Sequence, residues 1–140
     1  MYSFVFRSPD GTEITEYDEG FFRDIFLNKG KEFWSIQAGD AGIHITDEEH
    51  KAEVVIIYSE GNGFFIQHLY DGEEDEYVIS HGDDLKIKTT VYPGGEPWEV
   101  PISFFCERQE ALDVITEILK SGSRNELRKW VNLWDGDWAV

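Results

Sequence analysis

The carboxylates of this sequence are the side chains whose number and spacing suggest a chemical function. No Lys or Arg occurs between Ala52 and Leu85, and the stretch carries nine acids: Glu53, Glu60, Asp71, Glu73, Glu74, Asp75, Glu76, Asp83 and Asp84. The last seven surround two predicted turns, where side chains project into solvent. Such a patch would attract a basic partner and speed encounter, or it is a solvated surface that keeps the protein soluble. We predict that these seven acids contribute to partner binding.

The same acids do not match a known metal or cofactor motif. The segment Asp71-Gly72-Glu73-Glu74-Asp75-Glu76 lacks the alternating oxygen ligands and central glycine of an EF-hand loop. The turn Gly61-Asn62-Gly63 is not followed by the G-x-x-x-x-G-K pattern of a phosphate loop. We therefore expect no bound metal and no cofactor.

Four histidines and one cysteine are the other candidates for catalytic side chains. His68 and His81 lie near acids, and a His–carboxylate pair could transfer protons, but surface or strand histidines explain them more simply. A helix N-terminus would lower the pKa of Cys106, whereas Glu107 and Glu110 oppose that, so we interpret Cys106 as structural. Since no nucleophile–base motif is present, we predict no catalytic residue and no enzyme activity.

Three tryptophans near the end of the sequence are spaced by four residues: Trp130, Trp134 and Trp138. This is helical spacing, but Gly136 and its two acidic neighbours interrupt it. We predict that Trp130 covers the core or a sheet edge. Trp134 and Trp138 are candidate aromatic anchors for a partner.

Composition narrows the classes of function. The chain has 140 residues and a net charge of -17, which fits a single domain spanning residues 1–140 and disfavours direct binding of nucleic acid or an anionic membrane. A single cysteine excludes an intramolecular disulfide. No signal-peptide pattern is visible, and the longest apolar run, residues 54–58, is too short to span a membrane. We expect a soluble, cytoplasmic protein.

Two segments have the apolar period of helices. The first begins after Asp18, a predicted N-cap, and places Phe22, Ile25 and Phe26 on one face before Gly30, which we predict as its C′ residue. The second runs from about Glu107 to Lys120 and ends before Gly122. Its apolar residues recur at helical spacing: Ala111, Leu112, Ile115, Ile118 and Leu119.

The remaining apolar segments have the properties of strands. Residues 54–57 are β-branched throughout, which predicts a strand covered on both faces. Residues 64–70, 76–80 and 86–91 follow, separated by turn signals, and predict a meander of antiparallel strands. A hairpin at residues 4–17 and a strand at 43–46 precede them. The sequence therefore predicts an α+β fold, a curved antiparallel sheet with two main helices packed on it.

The second half of the chain resembles a family of small immunity proteins from bacterial polymorphic-toxin and contact-dependent competition systems. The resemblance covers about residues 52–134. It depends on the strand run of residues 54–58, a Gly-Gly turn at Gly94-Gly95, a short strand at residues 102–105, the helix ending in Gly122, and Trp130. The family often has Arg-Pro after this helix, where this chain has Arg124-Asn125.

The resemblance implies function by binding. Members of the family guard cells against toxins that include nucleic-acid deaminases and nucleases, so the expected partner is the C-terminal domain of a cognate toxin. A toxin of this type must carry a basic cleft, which an acidic inhibitor could fill. The alternatives are a DNA mimic or regulatory adaptor that binds another basic protein, and a small enzyme or carbohydrate-binding module with two close carboxylates beside a Trp.

Overall fold

The computed structural model describes residues 3–16, 18–35, 39–46, 51–71, 73, 75–82 and 84–133. Strands β4 (Lys51–Ser59) and β5 (Gly63–Tyr70) pair at the centre of the main sheet. Val54 and Ile56 face one side of the sheet and Ile57 faces the other, and all three are buried. Because the strand has no polar face, a layer must cover each side of the sheet.

The main sheet is antiparallel between every pair of neighbours. It also contains β1 (Ser3–Arg7), β2 (Glu13–Ile14), β3 (Ala41–Thr46), β6 (Glu76–Ile79), β9 (Phe105–Cys106) and β10 (Trp130–Asn132). The strand order is β10-β6-β5-β4-β3-β1-β2, and β9 pairs with the start of β5. The α+β class and the antiparallel sheet predicted from the sequence are confirmed.

The helices cover one face of this sheet. They are α1 (Glu19–Leu27), the short α2 (Lys31–Trp34) and α3 (Arg108–Ser121). Asp18 is the N-cap of α1, and its Oδ1 accepts from the backbone N–H of Phe21 at 3.0 Å. Helix α3 stops at Gly122, whose φ of 75° is in the left-handed region. Gly30 was predicted as the C′ residue of α1, which is wrong: α1 ends at Leu27, and Gly30 is the N-cap of α2.

The largest core lies between these helices and the sheet. Buried helix residues meet buried strand residues there: Phe22, Ile25, Phe26, Trp34, Leu112, Ile115 and Ile118 against Ile43, Ile45, Val54, Ile56, Phe64 and Ile66. Leu119 is only half-buried. The predicted apolar face of α3 is therefore the face that packs on the sheet.

A two-stranded sheet covers the opposite face. It consists of β7 (Lys88–Val91) and β8 (Trp98–Pro101), and the second core contains Ile57, Phe65, Val78, Val91, Val100 and Phe104. We predicted residues 86–91 as part of the meander, which is wrong because β7 leaves the main sheet and pairs with β8. The short strand predicted at residues 102–105 is also wrong in part, since Ile102–Phe104 forms a 3-10 turn.

Arg108 joins the two main helices to the sheet. Its Nη1 donates to the carbonyl oxygens of Phe26 at 2.9 Å and Lys29, where α1 ends. Its Nη2 donates to the hydroxyl of Tyr58, and its guanidinium lies 5.4 Å from the centre of that ring. A cation at a helix C-terminus complements the helix dipole. No helix formed by the described residues is long and apolar enough to cross a membrane.

Replacing the buried Ile115 tests the α3 packing face. Ile115 is fully buried against the sheet, so Ile115→Ala should lower the free energy of unfolding by about 2–5 kcal/mol through lost burial and a cavity. Chemical denaturation followed by tryptophan fluorescence measures this. Lys120→Ala, on the exposed side of the same helix, is the control and should change the midpoint little. Equal midpoints for Ile115→Ala and the parent would contradict the assignment.

Candidate partner-binding site

Three of the acids that we predicted to bind a partner lie in the loop between β5 and β6. We call residues 71–76 the acidic hairpin. Asp71, Glu73 and Asp75 are exposed there, and no described Lys or Arg forms an ion pair with any of the three. Glu76 is the first residue of β6 and is half-buried. Glu74 lies outside the described residues. Asp71, Glu73 and Asp75 are therefore exposed carboxylates that no described Lys or Arg neutralises.

Strand β10 supports the acidic hairpin from the side. The backbone N–H of Leu133 donates to the carbonyl of Glu76 at 2.7 Å, and Nδ2 of Asn132 donates to Oδ1 of Asp75 at 2.9 Å. At the other side of the hairpin, the N–H of Asp71 donates to the carbonyl of Lys51 at 2.8 Å. These bonds attach Asp71, Asp75 and Glu76 to the neighbouring strands.

The second group of predicted acids lies elsewhere. Asp84 is exposed beyond the opposite end of β6, where its Oδ1 accepts from the backbone N–H of Lys86 at 2.9 Å. Strand β6 alone separates the two groups by roughly 10 Å at about 3.4 Å per residue. Asp83, Trp134 and Trp138 lie outside the described residues. The structure thus brings Asp71, Glu73, Asp75 and Glu76 together and leaves Asp84 apart.

Most arginines of the chain are engaged in contacts within the fold. Four of the five in the sequence contact acceptors or rings within the fold: Arg7 with Asp40, Arg108 with carbonyls, Arg124 with His68 and two tyrosines, and Arg128 with two glutamates. The fifth, Arg23, is exposed on α1.

Arg124 lies against the rings that flank the acidic hairpin. Its guanidinium is 4.0 Å from the ring centre of Tyr77 and 5.4 Å from that of Tyr70. Its Nη1 donates to Nδ1 of His68 at 3.0 Å, and only 12% of its side chain is exposed. Sequence reasoning missed this cluster, because the contacts join β5, β6 and the loop after α3, which are far apart in the chain.

His68 is a buried histidine rather than a surface one. Because a guanidinium can only donate, Nδ1 must be the unprotonated nitrogen and Nε2 carries the hydrogen. Nε2 has no hydrogen-bond partner among the described residues. Burial, and then the charge of Arg124, lower the pKa of His68 to about 4. The imidazole is therefore neutral at physiological pH.

Arg128 connects the loop after α3 back to that helix. Its Nε and Nη2 donate to the two carboxylate oxygens of Glu117 at 2.7 and 2.6 Å, and its Nη1 donates to Glu110 at 3.3 Å. The hydrogen bonds from Arg128 hold the pKa of Glu117 below its usual value. Glu110 also contacts Nε2 of His81 at 2.5 Å. His81 therefore pairs with a carboxylate of α3 rather than with an acid near it in the chain, and His68 contacts Arg124 instead of a carboxylate.

The surroundings of Cys106 agree with its interpretation as a structural rather than a reactive thiol. It is buried in β9, just before α3 begins. Burial first, and then the charge of Glu110, raise the pKa of its thiol to about 12. Trp130 also matches its prediction, since it is half-buried in β10 and packs on the helix-side core.

None of three clefts lined by described residues combines two carboxylates with a Trp. The cleft between α1 and α3, of about 650 Å³, contains Asp18 and Asp113 but no Trp. A second, of about 460 Å³, contains Trp130 and no carboxylate. The third, of about 360 Å³, contains Glu60 alone. None of the three favours the carbohydrate-binding alternative.

The buried His68 makes stability depend on pH. Its folded-state pKa of about 4 is below the ordinary 6.5, so the unfolded chain binds the proton first as pH falls. Between pH 6.5 and pH 4.5 the free energy of unfolding should fall by about 2–3 kcal/mol. The range stops at pH 4.5 because glutamates begin to titrate there. Urea denaturation across this range measures it.

A pair of variants isolates the contribution of His68. His68→Gln can still accept from Arg124 and carries no titrating ring, so its stability should change much less over the same range. His44→Gln removes an exposed histidine and should keep the parent's dependence. A parent curve that is as flat as that of His68→Gln would contradict the assignment.

A scan against protein-family models and a search of the curated proteins both find no match to this chain. The function of the surface must therefore be argued from its geometry and charge.

Proposed function

We propose that this chain is an immunity protein that binds a cognate toxin domain and blocks the basic cleft in which that toxin binds nucleic acid. The observation that carries the proposal is the acidic hairpin, where Asp71, Glu73 and Asp75 are exposed and no described base pairs with them. The protein acts by occupying the cleft, in the cytoplasm of the cell that it protects, and performs no reaction itself.

Charge complementarity explains why such a surface fits such a partner. An enzyme that acts on DNA or RNA binds phosphates through Lys and Arg. The carboxylates of Asp71, Glu73 and Asp75 offer those cations the same sign of charge as phosphates. No ion pair with a described Lys or Arg has to break before these three bind. Complementary potentials also steer the two proteins together and raise the association rate.

The hydrogen bonds made by Asp75 and Glu76 also favour this proposal. The side chain of Asn132 donates to the carboxylate of Asp75, and the backbone N–H of Leu133 donates to the backbone carbonyl of Glu76. A surface that is already ordered loses less conformational entropy when a partner binds it. The positions of Asp75 and Glu76 are therefore fixed before a partner binds, which favours tight binding as well as electrostatic steering.

Reconstitution with the toxin tests the function. The chain and the C-terminal toxin domain encoded beside it should co-purify as a 1:1 complex, measured by size-exclusion chromatography with light scattering. An equimolar amount of the chain should abolish the nuclease or deaminase activity of the toxin. Full toxin activity in the presence of excess chain would overturn the proposal, and tight binding to a different basic protein would favour the regulatory-adaptor alternative.

Neutralising the acidic hairpin should slow association. We expect the triple variant Asp71→Asn, Glu73→Gln, Asp75→Asn to associate with the toxin about 10-fold more slowly at low salt, and to show a weaker salt dependence. Its free energy of unfolding should change by less than about 1 kcal/mol, since the three side chains are exposed. Stopped-flow association across a salt series measures the rates.

A variant of equal charge change provides the control. Glu13 and Glu16 lie at or beside β2, at the far edge of the sheet from β6, and Glu99 lies on β8; all three are exposed. Changing all three to Gln alters the net charge equally but leaves the hairpin intact. If both triple variants slow association to the same extent, the effect comes from net charge and the hairpin has no special role.

A further inference from the structure

Two tyrosines flank the acidic hairpin, and we call Tyr70 and Tyr77 the tyrosine pair. Tyr70 is the last residue of β5 and precedes Asp71, and Tyr77 follows Glu76 in β6. Tyr77 lies directly opposite His68, and Tyr70 is two residues beyond His68 in the same strand. Because side chains alternate along a strand, both tyrosines lie on the face of His68, which is the helix side of the sheet.

The tyrosine pair adjoins the carboxylates of the acidic hairpin. Asn132 in β10 lies opposite Tyr77, and its Nδ2 donates to Oδ1 of Asp75 at 2.9 Å. The carboxylate of Asp75 therefore reaches the face on which Tyr77 lies. At the other end of the hairpin, Asp71 follows Tyr70 directly in the chain. A partner that contacts these two acids consequently meets the tyrosine pair as well.

Arg124 restricts the rings of the tyrosine pair. Its guanidinium lies 4.0 Å from the ring centre of Tyr77 and 5.4 Å from that of Tyr70, and its Nη1 donates to His68 at 3.0 Å. A cation against the face of an aromatic ring is attracted to it, so these contacts hold both side chains in place. Rings that are ordered before binding lose less conformational entropy at an interface.

Both tyrosines still reach the surface. Each is half-buried. Neither hydroxyl hydrogen-bonds to a described residue, and neither is among the buried side-chain atoms that lack a partner. The charge of Arg124 is balanced nearby, because its Nε lies 3.4 Å from Oε1 of Glu126, a side chain that is 78% exposed. The pair therefore offers ring surface and two hydroxyls beside exposed carboxylates.

We propose that the tyrosine pair is the aromatic centre of the toxin-binding surface, where Lys and Arg side chains from the basic cleft of the toxin pack their aliphatic stems while their charged ends bind Asp71 and Asp75. This inference rests on the proposed function and names the groups that hold the complex together. Long basic side chains commonly bury their methylene stems on apolar surface and keep the charge in polar surroundings. The tyrosine hydroxyls accept further hydrogen bonds from the same cations.

The general anatomy of protein interfaces favours this arrangement. Interfaces combine a buried centre with a polar rim, and Tyr is enriched among the residues that contribute most binding energy. Ring burial and hydrogen bonds form only after the two proteins touch, so they slow dissociation. Exposed carboxylates act at a distance and mainly raise the association rate. The tyrosine pair and the carboxylates should therefore have different kinetic signatures.

Removing the two hydroxyls tests the inference with the least change to the fold. The double variant Tyr70→Phe, Tyr77→Phe should dissociate about 3- to 10-fold faster from the toxin domain encoded beside this chain. Its association rate constant should change less than about twofold, and its unfolding midpoint should match that of the parent. Surface-based binding kinetics measure both rates. Tyr92→Phe is the matched control, since Tyr92 is 56% exposed but follows β7 on the opposite side of the main sheet.

A double-mutant cycle tests which groups of the toxin meet the tyrosine pair. Tyr77→Ala should raise Kd about 10- to 100-fold, and Asp75→Asn should raise it too while keeping an acceptor for Asn132. If one cation contacts both side chains, the combined variant should raise Kd by less than the product of the two factors. A full product would contradict the assigned contact. Urea denaturation establishes that Tyr77→Ala is folded under the assay conditions.

The outcomes separate the inference from the proposed function. If the parent inhibits the toxin, and both the double Phe variant and Tyr77→Ala dissociate at the parent's rate, the inference is wrong while the proposed function stands. If the parent does not bind the toxin, the proposed function fails and the inference falls with it.

Discussion

Strands β4 and β5 carry apolar side chains on both faces, so neither face can be left in water. This constraint explains the layers of the fold. Helices α1 and α3 cover Val54 and Ile56, and the β7–β8 pair covers Ile57 and Phe65. The turn between the two central strands must also let β9 approach closely. At Gly63, with φ of +104°, a Cβ atom would clash with the carbonyl oxygen of Cys106.

The path of the chain after α3 brings β10 beside the acidic hairpin. Gly122 ends the helix, and the next residues cross the sheet edge until β10 pairs with β6. Arg124 and Arg128 hold this crossing against the sheet and α3. The strand that follows supports Asp75 through Asn132. A small set of polar contacts therefore connects the helix layer, the crossing and the acidic hairpin.

Local patterns predicted the elements well where one periodicity dominated. The period of α3, the cap at Asp18 and the β-branched run at residues 54–57 each matched the structure. Prediction of strand partners failed where the two paired strands are far apart in the sequence. The alternation in residues 86–91 is equally compatible with an edge of the meander or a separate pair, and only the position of β8 decided between them. Gly30 ends no helix because α2 follows it at once.

The sequence by itself determined the net charge, the positions of the acids and the apolar faces of the elements, because these depend on residue type and on spacing along the chain. Only the tertiary structure decided which acids lie together, that His68 is buried against Arg124, and that Arg124 lies against Tyr70 and Tyr77. Each of these depends on contacts between β5, β6, α3 and β10. Such contacts are set by packing of the whole core, and no local periodicity encodes them.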